Sequence, residues 1–150
     1  MSKYDNETYK MALEFKKKFP GTIAWRIKKH ARIVNLHLNK DEKLLYVWTC
    51  QKNDNPFDII NTYVVALTDK RILMGRKRLL FGYFLDSITP DMFNDLNVIS
   101  GIIWGKLHID TIKEYVTLSN LSKRALPEIE TQVSAYMMKE KERLGGLRKD

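Results

Sequence analysis

The chain has 150 residues, of which 44 % are hydrophobic, 11 % aromatic and 29 % charged. That is enough apolar material for one core and too little charge for wholesale disorder. Its 26 Lys+Arg stand against 18 Asp+Glu, a net charge of +8, which favours contact with polyanions such as nucleic acid, anionic lipid or an acidic protein surface, while excess lysine equally serves solubility. Cys50 is the only cysteine, so no intramolecular disulfide forms, a usage suited to a reducing compartment. The polar start, Met1 to Glu7, lacks the apolar core of a signal peptide, and no stretch approaches the roughly 20 apolar residues that span a bilayer. The expectation is a soluble, cytoplasmic protein.

In chain order, a first helix is expected near Asn6 to Phe19, stopped by Pro20-Gly21. Thr22 is placed to cap a second helix, in which Ile23, Ile27, Ala31, Val34 and Leu38 recur every three or four residues. Trp25, Lys28, Lys29 and Arg32 gather on another side. After the polar linker Asn39 to Lys43 the period changes to two. Leu45 and Val47 alternate with Tyr46 and Trp48 in a first strand. A loop from Gln51 to Asp58 carries the turn signal Asn53-Asp54-Asn55-Pro56. Strands follow near Thr62–Thr68, Arg71–Arg76, Leu80–Ile88, Asp95–Ser100, Ile102–Ile109 and Glu114–Leu118. Seven short strands about ten residues apart suit a sandwich or small barrel. A last helix is expected over Pro127 to Leu144, with Pro127 in its first turn and Gly145-Gly146 ending it. Its stripe Ile129, Val133, Tyr136, Met137 and Leu144 must pack on the sheet.

Particular segments carry a resemblance. These are Glu42-Lys43-Leu44-Leu45-Tyr46, the hairpin Val65-Ala66-Leu67-Thr68-Asp69-Lys70-Arg71-Ile72-Leu73-Met74, Gly82-Tyr83-Phe84-Leu85-Asp86-Ser87-Ile88, and Leu118-Ser119-Asn120-Leu121. From about Asp41 to Leu144 the chain resembles the bacterial pleckstrin-homology (PH) domains, in particular the YokE-like group. The resemblance implies a mainly β fold with helices (α+β), a PH-like seven-stranded antiparallel β-barrel closed by a C-terminal helix. It divides the chain into a helical extension (1–40), a PH-like domain (41–146) and a tail (147–150). Eukaryotic PH domains bind phosphoinositides and peptides. The bacterial ones look like the same scaffold without an established common ligand, and some of them assemble into rings or other oligomers.

The residues argue against catalysis. His30 and His37 lie seven apart, about 10.5 Å along a helix, too far to share a metal. His108 falls on a strand, and no Cys/His ligand spacing, nucleophile elbow, P-loop or dinucleotide fingerprint occurs. Cys50 ends an apolar strand and reads as a buried structural thiol. No catalytic residue, metal or cofactor is expected.

Two binding surfaces stand out. Arg71, Arg76, Lys77 and Arg78 place four cations within eight residues, able to grip phosphate or acidic side chains, although cations also guard strand edges. Lys52 lies in the first inter-strand loop, where many PH domains hold lipid phosphates, but Asp54 and Asp58 in the same loop weaken an inositol-phosphate site. The second surface is the helix pair, with Lys16-Lys17-Lys18 and with Ile23, Trp25, Ile27, Lys28, Lys29, Arg32 and Val34. It would meet an anionic membrane, or its apolar stripe would dock on the barrel or on another subunit. The reading is a non-enzymatic binding or scaffolding domain, with a protein partner or a second copy of itself as first choice. Anionic lipid is the alternative. Nucleic acid is disfavoured, because no helix-turn-helix or zinc site is seen.

Overall fold

The computed structural model describes residues 3–53 and 60–148. Helix α1 (Lys3–Lys18) and helix α2 (Ile27–Leu36) precede seven strands: β1 (Leu44–Gln51), β2 (Thr62–Thr68), β3 (Ile72–Lys77), β4 (Tyr83–Ile88), β5 (Phe93–Ser100), β6 (Gly105–Thr111) and β7 (Tyr115–Leu121). A 3-10 turn (Lys123–Ala125) leads into helix α3 (Leu126–Arg148). The strands form one antiparallel sheet in the order β4-β3-β2-β1-β7-β6-β5. β1 and β7 are joined at Gln51 and Ser119, where the two halves of the sheet meet. This seven-stranded, helix-closed arrangement is the one that the family resemblance implies.

Two cores explain the burial. The inner core gathers Trp48 and Cys50 of β1, Tyr63, Val65 and Leu67 of β2, Ile72 and Met74 of β3, and Leu107, Ile109, Val116 and Leu118 of β6 and β7. Helix α3 adds Ile129, Val133 and Met137 at four-residue spacing, one face of its helix. Helix α1 adds Phe15, and Phe19 just after it, to the same core, so this segment is part of the barrel's filling. Tyr46 donates from its hydroxyl to Glu128 (2.7 Å) and Lys18 pairs with the same carboxylate, which ties α1, β1 and α3 together.

The outer core lies on the other face of β1–β3. There Val47, Val64, Ala66 and Leu73 meet Ala12 of α1 and Ala31 and Val34 of α2. The apolar stripe of the second helix therefore docks on the barrel. β2 consequently has both faces covered, and all seven of its residues are buried. The approach is close because β3 carries glycine at the contact: a Cβ on Gly75 would stand 2.7 Å from Val34 Cγ2. Thr8 donates its hydroxyl to Asn35 Oδ1 at 2.7 Å, pinning α1 to α2.

Several boundaries move. α2 begins at Ile27, after Arg26 in a left-handed conformation (φ 53°), and Thr22 does not cap it. Thr22 instead accepts from the Ser122 N–H at 3.0 Å, because the chain turns at Gly21-Thr22 and runs on to Arg26 without regular structure before α2 starts. α3 continues through Gly145-Gly146 to Arg148. Leu80 and Ile102, expected inside strands, sit in the turns before β4 and β6. Asp54, Asn55, Pro56 and Asp58 of the first loop lie outside the described residues.

Candidate functional site

The four-cation run divides along β3. Arg71, just before the strand, forks onto Glu42, with Nε to Oε2 and Nη2 to Oε1 both at 3.0 Å, and Nη2 also reaches the His37 carbonyl at 3.0 Å. It locks the β2–β3 turn to the linker behind α2, and this structural role removes it from a shared anion site. Arg76, Lys77 and Arg78 lie at the strand's other end, roughly 16 Å away at about 3.3 Å per residue.

Around that end the two candidate surfaces merge. Residues 21–26 form a belt across the strand ends, fixed by a ladder of hydrogen bonds. The Ile23 N–H donates to the Asn120 carbonyl (2.9 Å), Gln51 Nε2 to the Ile23 carbonyl (3.0 Å) and the Trp25 N–H to Thr62 Oγ1 (3.1 Å). Arg26 Nη1 then donates to the Lys77 carbonyl (3.3 Å), and the Lys77 N–H donates to His30 Nδ1 (2.9 Å). Trp25, Lys28, Lys29 and Arg32 are exposed, and Arg26 and His30, which bond Lys77, join the start of α2 to the Arg76–Arg78 end of β3. Val34 is fully buried and Ile27 packs against the outer core, so neither belongs to a free surface; Ile23 is half-buried in the belt.

Sequence reasoning missed the tip of the β3–β4 turn. Leu79, Leu80 and Phe81 are 69 %, 83 % and 82 % exposed. Gly82 makes the turn at φ 77°, a conformation that costs glycine little. Tyr83 and Phe84 at the start of β4 are also exposed, and the Arg78 guanidinium sits 5.3 Å from the Phe84 ring centre. The tip is thus an apolar cap with Arg76, Lys77 and Arg78 at its base. No Asp or Glu occurs between residues 70 and 85 or between 21 and 40. The sequence signal was the run Arg-Lys-Arg-Leu-Leu-Phe-Gly, whose glycine marks a turn and not a strand interior.

Lys52 differs from these cations. Its Nζ pairs with Asp86 Oδ2 at 2.7 Å and lies 5.3 Å from the Tyr63 ring centre. Burial disfavours its charge, but the Asp86 hydrogen bond and charge, helped by Tyr63 and Glu114, hold its pKa above the ordinary lysine value. The mouth around Lys52 is therefore internally neutralised.

The histidines and the cysteine are tied into the fold. Burial, then the nearby charges of Arg26 and Arg76, lower His30 to about 4 despite a hydrogen bond to the Trp25 backbone. His37 bonds the Ile33 carbonyl and Tyr83, and His108 bonds Thr117. Burial pushes the Cys50 thiol far above its usual range, which leaves it inert. Among the described residues no group of His, Cys, Asp and Glu could hold a metal ion.

Residues 38–134, about two-thirds of the chain, match the family model of the bacterial PH domain, and the chain belongs to that family. Its fold is similar to the crystal structure of a pleckstrin homology domain from Shewanella amazonensis SB2B, with a TM-score of 0.47 and 15 % identity over 69 % of this chain and 82 % of that one. No curated protein matches. The family is one of binding modules, and no enzyme family is indicated. No helix among the described residues is long and apolar enough to cross a membrane.

Proposed function

We propose that this protein is a non-catalytic binding module that docks on an anionic lipid surface through the β3–β4 tip and the basic side of α2. The carrying observation is Leu79-Leu80-Phe81, three large apolar side chains held out in solvent immediately after Lys77 and Arg78, with half-buried Arg76, whose Nη2 donates to the Ile60 carbonyl at 3.0 Å, behind them. Burying one such side chain is worth about 1.5–3 kcal/mol, and each Lys or Arg near an anionic surface adds about 1 kcal/mol. An apolar tip with a cationic collar matches a bilayer's layering of acyl chain beneath phosphate. The internal pairing of Lys52 favours recognition of charge density over recognition of one headgroup.

The division into an extension (1–40), a PH-like domain (41–146) and a tail (147–150) belongs to the same proposal, as do the YokE-like grouping and a cytoplasmic location. A second reading, assembly with another copy or another protein, draws on β4 and β5 as the two edges of the sheet, since edge strands offer unpaired backbone groups. The experiment is co-sedimentation of the full chain with phosphatidylglycerol/phosphatidylcholine vesicles. Binding that falls with salt, and falls at least about tenfold in Leu80→Asp/Phe81→Asp, supports the lipid reading. Equal binding by that variant, or binding indifferent to phosphatidylglycerol, overturns it. Light scattering then tells whether the chain assembles instead.

A further inference from the structure

We infer that the β5–β6 turn is a second contact with the same bilayer, so that the domain docks through two apolar tips at the ends of the 21–26 belt. This rests on the lipid reading of the β3–β4 tip. Ile102 is 95 % exposed and Ile103 65 % exposed, so Ile102 is more exposed than any of the three apolar residues of the first tip. The turn is held in shape. The Gly101 N–H donates to the Trp104 carbonyl at 3.0 Å, and a Cβ on Gly101 would lie 2.6 Å from that oxygen, so only glycine fits. Trp104 Nε1 donates to the Gly21 carbonyl at 3.1 Å, and Lys123 Nζ donates to the Ile102 carbonyl at 2.6 Å.

The chemistry repeats that of the first tip. The Lys123 ammonium is fixed at the base of the turn, and exposed Arg124 follows it. No Asp or Glu occurs between residues 96 and 109 or between 115 and 127. A second copy of this cationic tip would repel it, whereas an anionic bilayer complements both its charge and its apolar end. The belt supplies the geometry. Its Gly21 end bonds Trp104 and its Arg26 end bonds Lys77, so the two turns lie at opposite ends of one six-residue segment, which is anchored between them to Asn120, Gln51 and Thr62. Trp25, 55 % exposed, stands between them on that segment, and tryptophan favours the headgroup region. One tip would leave the domain free to swing; two fix which face meets the membrane.

The test uses the three tryptophans of the full chain. Trp48 is fully buried and shielded from lipid, so Trp25→Phe leaves Trp104 as the lipid-accessible reporter and Trp104→Phe leaves Trp25. Each variant is titrated with vesicles of phosphatidylglycerol and acyl-chain-brominated phosphatidylcholine. Quenching of both is expected. In addition, Ile102→Ser/Ile103→Ser, at exposed positions, should weaken co-sedimentation at least about tenfold. Quenching of Trp25 without quenching of Trp104, or unchanged co-sedimentation of the isoleucine variant, overturns the second contact and leaves the first standing. Absence of any vesicle binding by the full chain overturns both.

Discussion

Arg71 and Glu42 form a two-pronged ion pair across the start of the barrel, with both N–O distances at 3.0 Å and the Glu42 side chain fully buried. Glu42 is a residue of the polar linker, and Arg71 follows the β2–β3 turn. Their pairing joins segments that share no strand ladder. Thr68 Oγ1 and the Asn39 N–H donate to the same carboxylate at 2.6 and 3.0 Å, so both oxygens are satisfied.

Removing one partner leaves a buried charge, and breaking such a pair costs about 3–5 kcal/mol. Arg71→Ala should lower the urea midpoint accordingly. Burial alone would raise the Glu42 carboxyl, but the hydrogen bonds from Arg71, Thr68 and Asn39, with the charge of Arg71, hold it below the ordinary glutamate value. A depressed carboxylate stabilises the fold above the unfolded-state pKa and loses that contribution as pH falls through the folded value. Wild type should therefore lose stability below about pH 4.5, and Glu42→Gln, less stable at neutral pH, should show a shallower acid loss. Parallel acid profiles would contradict the assignment.

His30 titrates with the same sign in a different window. Its folded pKa, about 4, lies below the ordinary 6.5, so the unfolded chain binds more protons between those values. Stability from this residue is complete above pH 6.5 and declines as pH falls toward 4, on the order of 3 kcal/mol in total. Denaturation midpoints at pH 7, 5.5 and 4.5 should fall in wild type and fall less in His30→Gln. An imidazole titrating near 6.5 by NMR would contradict this.

Gly75 sets the distance between α2 and β3. A methyl there meets Val34 Cγ2 at 2.7 Å and Ile33 Cγ2 at 3.3 Å. Gly75→Ala should destabilise by about 1–3 kcal/mol, the usual cost of overpacking. Val34→Ala in that background should recover part of the loss, because the two sites share one contact and their effects do not add. Strict additivity in the double-mutant cycle would mean that the helix yields without strain.

Much of this architecture is legible in the sequence, because periodicity reports burial. The alternation of Tyr63, Val65 and Leu67 against Val64 and Ala66 anticipates two faces, and the structure covers both. The stripe Ala31/Val34 anticipates a docked helix without naming the sheet face it meets. Charge patterning was a poorer guide to the site. Arg71 reads like its neighbours at 76–78, and only the fold brings Glu42 to it from 29 residues away. Leu80 and Phe81 read as strand because an apolar run has the same composition whether it fills a core or tops a turn. The belt has no periodic signature, since its bonds go to partners up to 100 residues distant.

Lys52 supplies the last prediction. It sits in the loop mouth where PH domains commonly hold phosphates, yet Asp86 takes its ammonium at 2.7 Å and Glu114 adds negative charge nearby. A phosphate entering there must displace a half-buried ion pair and meet carboxylates. The β3–β4 tip offers Lys77 and Arg78 with no acid in the surrounding run. Lys52→Ala should thus leave vesicle binding within about twofold, whereas Lys77→Glu/Arg78→Glu should reduce it by tenfold or more, near the roughly 1 kcal/mol per cation expected at an anionic surface. Vesicles matched in surface charge, one set with phosphatidylglycerol and the other with a phosphoinositide, should bind the full chain equally. A clear preference for the phosphoinositide that Lys52→Ala removes would move the site from the tip to the mouth. Asp86→Asn sharpens the comparison. It releases Lys52 without touching the tip, so a gain of phosphoinositide binding in that variant alone would identify Asp86 as the residue that keeps the mouth closed to headgroups.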